Sequence, residues 1–157
     1  MRKYCANCEL IQDAVIRIEV QEFKVKKNKV TAKIVILTCS QCGDEVYDKD
    51  NEVSNDIMIF DQYKKTKKLM TSKEIIRIRE KYSISQVTLS KIMGFGIKTI
   101  TRYENGAIQD NAHDNLLRLA SLDANFYRLW IMSKESLTEA ENIKIALKLC
   151  ATTDITK

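Results

Sequence analysis

The chain has 157 residues and lacks proline altogether; it holds four glycines and a single histidine. So little proline and glycine argues against long flexible linkers. No run of about 18 apolar residues exists, so a membrane span is not expected. The first ten residues lack the apolar core of a signal peptide. We therefore expect a cytoplasmic protein that does not associate with membranes.

The residue patterns of an enzyme active site are also missing. We find no nucleophile–base pair, no phosphate-binding loop and no paired carboxylates that predict a cleft. The lone histidine, His113, fits a helix surface better than an acid–base role. An enzyme is therefore not expected. The formal net charge of +5 permits a nucleic-acid partner without requiring one.

Four of the five cysteines fall into two Cys-x-x-Cys pairs, Cys5 with Cys8 and Cys39 with Cys42. A reducing cytoplasm disfavours structural disulfides, whereas two such pairs supply the four thiolates of a tetrahedral zinc site. Gly43 suits the tight turn after the last cysteine. We predict a closed, structural zinc site. Rubredoxin-like iron is an alternative with the same ligands, and a redox dithiol is a weaker one. The fifth cysteine, Cys150, is predicted to be a small buried apolar residue.

Apolar periodicity divides the chain into a β part and a helical part. Residues 1–48 predict a β-hairpin framed by the two cysteine pairs, and a connecting helix follows, with Asp48 among its candidate caps. The remainder predicts helices only: 72–81, 85–93, 97–104, 110–122, 125–132 and 137–150. The fold class is therefore α+β, with a small N-terminal zinc ribbon followed by an all-α domain with extra C-terminal helices. We place the first domain at residues 1–65 and the second at residues 71–157.

Residues 84–106 have the pattern of a helix-turn-helix, in which a glycine-containing turn joins two short helices. Leu89, Ile92 and Ile100 are predicted to form the small core between them. The outward face of the second helix then carries four candidate DNA contacts, and Gln86 at the start of the first helix is a candidate phosphate contact. The four are Ile97, Lys98, Thr101 and Arg102. Solvated charge on a helix surface is the plainer interpretation of Lys98 and Arg102.

This segment resembles the phage-repressor-type (XRE) helix-turn-helix, on the residues Ser85-Gln86, Leu89-Ser90, Gly96 and 99–106. The whole chain is more similar to the MqsA (YgiT-type) antitoxin family, which joins a zinc domain with two Cys-x-x-Cys pairs to a C-terminal helix-turn-helix. The resemblance covers roughly residues 1–123 and rests on the cysteine pairs and on 94–98 followed by 101–106. Arg102 matches a base-reading arginine of the family pattern, whereas Lys98 stands where that pattern has asparagine.

The resemblance implies a homodimer that binds a palindromic DNA operator, represses its own operon and contacts a partner toxin through the zinc domain. Two other functions stay open. In one, the chain is mainly a protein-interaction module that inhibits a toxin or a phage or defence factor. In the other, it is a stand-alone regulator of a mobile element without a toxin. The apolar stripe of 137–150 predicts a dimerisation helix.

Overall fold

The computed structural model describes residues 1–153, with side chains as far as residue 150. Residues 154–157, the end of the predicted second domain, lie outside the described part. The chain divides into two compact units, Met1–Lys67 and Lys68–Lys157. A small antiparallel sheet is followed by helices, which confirms the α+β class.

The first unit consists of a three-stranded antiparallel sheet of order β1-β2-β3 and one helix. The long β2–β3 hairpin turns at Lys26, whose φ of 54° completes a two-residue connection. The short first strand was not predicted from the sequence. The elements are β1 (Arg2–Cys5), β2 (Leu10–Val25), β3 (Asn28–Cys39) and α1 (Lys49–Thr66).

One face of the sheet is much better covered than the other. On β3, Val30, Ala32 and Ile34 are buried, because α1 packs against this strand. The α1 side chain of Asn55 accepts from the Val35 N–H at 2.9 Å and donates to the Val35 carbonyl at 2.8 Å, which pairs both backbone groups of this residue on the open edge of β3. Asp48 caps α1 as predicted, by accepting from the backbone N–H groups of residues 50 and 51.

The second unit is all-helical in its described part. Thr71 and Glu74 form a complete capping box at the start of α2, and Ser85 caps α3 through the Thr88 N–H. A short 3-10 turn, Lys134–Ser136, precedes the last helix. The helices are α2 (Ser72–Lys81), α3 (Gln86–Ile92), α4 (Thr99–Glu104), α5 (Asn111–Ala120), α6 (Asp123–Ser133) and α7 (Glu139–Thr153).

One apolar core joins all six of these helices. Leu89, Ile92 and Ile100 are buried in it, as predicted, and Tyr82 stacks on Phe126 with ring centroids 3.6 Å apart. The C-terminal segment supplies five buried residues in all, so the end of the described chain is part of this core. They are Phe126, Trp130, Leu137, Ile145 and Leu149.

Several sequence predictions in this unit need correction. The second helix of the helix-turn-helix begins at Thr99, so Ile97 and Lys98 lie in the turn before it. The sequence alone predicted a start at residue 97. Cys150 is exposed, where a buried side chain was expected. On α7, Ile145 and Leu149 enter the core while Ile143 and Leu147 remain on the surface of the single chain, so the dimerisation helix stays a prediction. Within residues 1–153, no helix is both long enough and apolar enough to cross a membrane.

Candidate functional site

The four paired cysteines meet at one end of the sheet in the first unit. Their sulfur atoms all lie within 4.8 Å of one another. Cys5 Sγ is 3.5 Å from Cys42 Sγ, and Cys8 Sγ is 3.9 Å from Cys39 Sγ. Four thiolates about 2.3 Å from a tetrahedral zinc ion stand about 3.8 Å apart, so the cluster matches the size of that coordination shell.

The local backbone holds each pair as a tight knuckle. The Cys8 N–H points at Cys5 Sγ at 3.5 Å, and the Gln41 N–H points at Cys39 Sγ at 3.4 Å. Gly43 follows the second pair with φ of 80°, a conformation that glycine adopts without strain, as its place in the sequence predicted. These N–H groups stabilise negative charge on sulfur, which favours metal ligation.

The close packing of the four thiols shifts the pKa values of Cys8 and Cys42 in opposite directions. The hydrogen bond with Cys42 and burial raise the pKa of Cys8 to about 12, whereas the Asp44 backbone N–H lowers the pKa of Cys42 to about 7. The four thiols therefore do not all ionise near neutral pH by themselves. A bound dication offsets the repulsion among four thiolates, so metal binding and proton release are coupled. Cys5 and Cys39 are also buried beside Leu37 and Val46, which ties the cluster to the small core of this unit.

The second site is the helix-turn-helix formed by α3, a six-residue turn and α4. Gly94 ends α3 with φ of 67°, the left-handed conformation common after a helix C-terminus. The Phe95 N–H then bonds to the Ser90 carbonyl at 2.8 Å, and the Thr99 N–H to the Gly96 carbonyl at 2.8 Å. These bonds fix the path of the chain into α4.

A buried carboxylate links the three helices around this motif. Glu104, at the end of α4 and with 4% of its side chain exposed, accepts two bonds from Arg79 of α2, at 2.7 and 3.2 Å. It also accepts from Gln86 Nε2 of α3 at 2.6 Å, and Gln86 Oε1 in turn accepts from Thr101 Oγ1 at 2.7 Å. The sequence had not assigned roles to Arg79 or Glu104. Glu104 stood inside the segment that resembles the repressor motif, which was the only signal available.

The predicted DNA-contact residues divide into two groups in the structure. Ile97 and Lys98 are exposed on the turn, and Arg102 is exposed in the last turn of α4. Gln86 and Thr101 are half-buried and hydrogen-bonded to each other. The structure thus brings Gln86 to α4, and its amide holds α3 against α4.

The opposite end of α4 contacts the lone histidine. His113 on α5 stacks on Phe95 with ring centroids 4.0 Å apart, and its Nδ1 lies 2.6 Å from the Tyr103 hydroxyl. The half-buried ring is therefore packed against both the turn and α4. Sequence reasoning expected a surface position, because one histidine on a helix carries no pattern of its own.

The chain thus combines a four-cysteine cluster able to hold a metal ion with a pair of short helices joined by a tight turn. A family model described as "Antitoxin component of bacterial toxin-antitoxin system, MqsA" matches residues 1–125. The chain belongs to this antitoxin family, as its resemblance indicated. A search among curated proteins found no match to the chain. The match ends within α6, so the end of α6 and all of α7 lie outside it.

We predict that the purified chain binds one metal ion and that Cys39→Ser abolishes this binding. Loss of one of four ligands opens the shell and costs the small unit the energy that metal ligation adds to folding. Metal content by elemental analysis and β-sheet signal by circular dichroism check the prediction. Cys150→Ser is the matched control and should retain the metal. Full metal content in Cys39→Ser would contradict the assignment of the ligands.

Proposed function

We propose that this chain is a sequence-specific DNA-binding repressor, an antitoxin that regulates its own operon through the helix-turn-helix. In this proposal the two units are a zinc-binding domain and a DNA-binding domain, close to the predicted boundaries of residues 1–65 and 71–157. The metal is zinc in a structural role, since a closed four-thiolate shell leaves no open position for catalysis. The protein is not an enzyme and works in the cytoplasm.

The observation that carries the proposal is the arrangement of α4. Its inner face is fixed, because Ile100 is fully buried and Glu104 is held by Arg79. Its outer face presents Arg102, and Lys98 lies at its N-terminus; both are exposed. A rigid short helix with cations on the outside has the form of a recognition helix that enters the major groove.

In this proposal each exposed side chain of the turn and α4 contacts a different part of the DNA. Arg102 donates two hydrogen bonds to a guanine, and Lys98 contacts guanine or phosphate from the start of α4. Ile97 packs against a thymine methyl group or the sugar edge. Thr101 is oriented by Gln86, and the pair contacts the adjacent base or phosphate. Two copies of the chain, related by a two-fold axis, read the halves of a palindromic operator about one helical turn apart.

Arg102→Ala should weaken operator binding by roughly 10- to 100-fold, because it removes a bidentate base contact. Fluorescence anisotropy at fixed salt, with folding checked by circular dichroism, measures the change. Arg128→Ala is the control, since Arg128 is also an exposed arginine, on α6. An Arg102→Ala protein that binds like the Arg128→Ala protein would rule out α4 as the recognition helix.

A second activity, binding of a protein toxin by the first unit, is favoured by the uncovered face of β2. Ile16, Ile18 and Val20 alternate along the strand, so they share one face. They are 63%, 66% and 62% exposed. Clustered apolar side chains at a surface favour a protein contact. The antitoxin family makes a toxin the natural partner, and this activity accompanies DNA binding.

Ile18→Lys should weaken binding of the toxin by at least about tenfold, because it places a charge in the middle of an apolar interface. The probe is the purified product of the reading frame adjacent to the gene for this chain, measured by calorimetry. Val53→Lys, at an exposed apolar position on α1, is the control. Equal affinity of the Ile18→Lys and wild-type proteins would remove this face from the interface.

A further inference from the structure

One carboxylate near the start of α7, that of Glu141, serves two helix N-termini. Its Oε2 accepts from the Thr138 N–H at 2.8 Å and from Thr138 Oγ1 at 3.0 Å, which completes the capping interactions of α7 itself. Its Oε1 accepts from Thr88 Oγ1 at 2.5 Å, across 53 positions of sequence. Thr88 belongs to the first turn of α3, the first helix of the helix-turn-helix.

The donor and acceptor of each hydrogen bond around Thr88 can be assigned. The Thr88 N–H donates to Ser85 Oγ at 3.0 Å, and the two hydroxyl oxygens lie 2.7 Å apart. Because the Thr88 hydroxyl donates to Glu141, the Ser85 hydroxyl is left to donate to Thr88. The Thr88 side chain is buried, with 2% of the residue exposed, so water does not readily replace the lost partner if Glu141 is removed.

The third residue after the N-cap differs between α2 and α3. In α2 the residue three places after the cap is Glu74, and its carboxylate accepts from the Thr71 N–H at 2.7 Å. In α3 this position is Thr88, which has no carboxylate. Glu141 brings a carboxylate to the first turn of α3 from a distant helix, where negative charge is favourable at a helix N-terminus.

The segment that carries Glu141 is anchored independently of this contact. Ile145 and Leu149 of α7 and Trp130 of α6 are buried in the core of the second unit. Trp130 Nε1 also donates to Asn142 Oδ1 at 2.7 Å. All these residues follow residue 125, where the family match ends. This added segment is therefore built into the second unit, and its first-turn acid reaches α3.

We propose that Glu141 is a positioning residue of the DNA-binding site, through which the C-terminal segment fixes α3 in the orientation that DNA binding requires. This inference rests on the proposed function. The path to the recognition helix is short, because Gln86 stands two residues before Thr88 and bonds to both Thr101 and Glu104 of α4. Glu141 holds α3 from one side, and the Gln86 amide holds it to α4 from the other.

The test measures the DNA affinity of the full chain with Glu141→Gln. The direction of the change in affinity distinguishes the two possible roles of Glu141. Removing a negative charge from a DNA-binding domain strengthens DNA binding if only electrostatics matters. A positioning role predicts the opposite, a loss of about tenfold in affinity, on the scale of one buried charge-assisted hydrogen bond. The slope of affinity against salt should stay unchanged, because no phosphate contact is lost. The matched control is Glu139→Gln, an exposed acid on the same helix.

A second pair of variants covers the case in which Glu141→Gln does not fold. Thr88→Val should lose affinity, and Thr88→Ser, which keeps the hydroxyl, should retain it. All affinities are measured below the onset of unfolding seen by circular dichroism.

Hydrogen exchange without DNA provides a readout that is independent of DNA binding. The amides of α3 should exchange about tenfold faster in Glu141→Gln than in Glu139→Gln, while those of α2 remain unchanged. Wild type that binds no DNA would overturn the proposed function. Faster exchange of α3 in Glu141→Gln would still show that Glu141 stabilises α3. If wild type binds DNA and Glu141→Gln binds as well as Glu139→Gln does, the positioning role is overturned and the function stands. Equal exchange of α3 in the two variants overturns it as well.

Discussion

The second unit depends on the buried carboxylate of Glu104. A carboxylate with almost no contact with water is costly unless its oxygens are hydrogen-bonded and its charge is paired. Arg79 and Gln86 meet this need, and they come from the two helices that flank α4. The orientation of α4 is therefore linked to α2 and α3 through one group. Side chains on the outer face of α4, Arg102 above all, take their direction from this constraint.

The first unit differs from the second in how it can be stabilised, because its apolar core is small. Its buried apolar cluster beside the cysteines is small, with Leu37 and Val46 as its main members besides the ligands. Small cores contribute little stability, and a metal ion bound by the four thiolates would add to it. α1 packs against β3, and Ile18 on β2 remains exposed.

The sequence predicted those features of the structure that depend on the spacing of residues along the chain. The two Cys-x-x-Cys pairs predicted a ligand cluster that the structure assembles, and the apolar spacing of Leu89, Ile92 and Ile100 predicted the helix-turn-helix core. Long-range polar contacts left no such signal. Arg79 is one of several charged residues on α2, and Glu141 pairs with Thr88 only because α7 returns to α3. On α7 the apolar pattern does not separate Ile145, which is buried in the core, from Ile143 and Leu147, which are exposed.

The central claim, that the helix-turn-helix reads a specific two-fold-symmetric site, is tested most directly by selecting bound DNA from a random pool with the full-length protein. The account predicts enrichment of an inverted repeat whose half-sites are centred about 10 base pairs apart, or a multiple of that spacing. Recovery of no motif, or of a motif without symmetry, would contradict it.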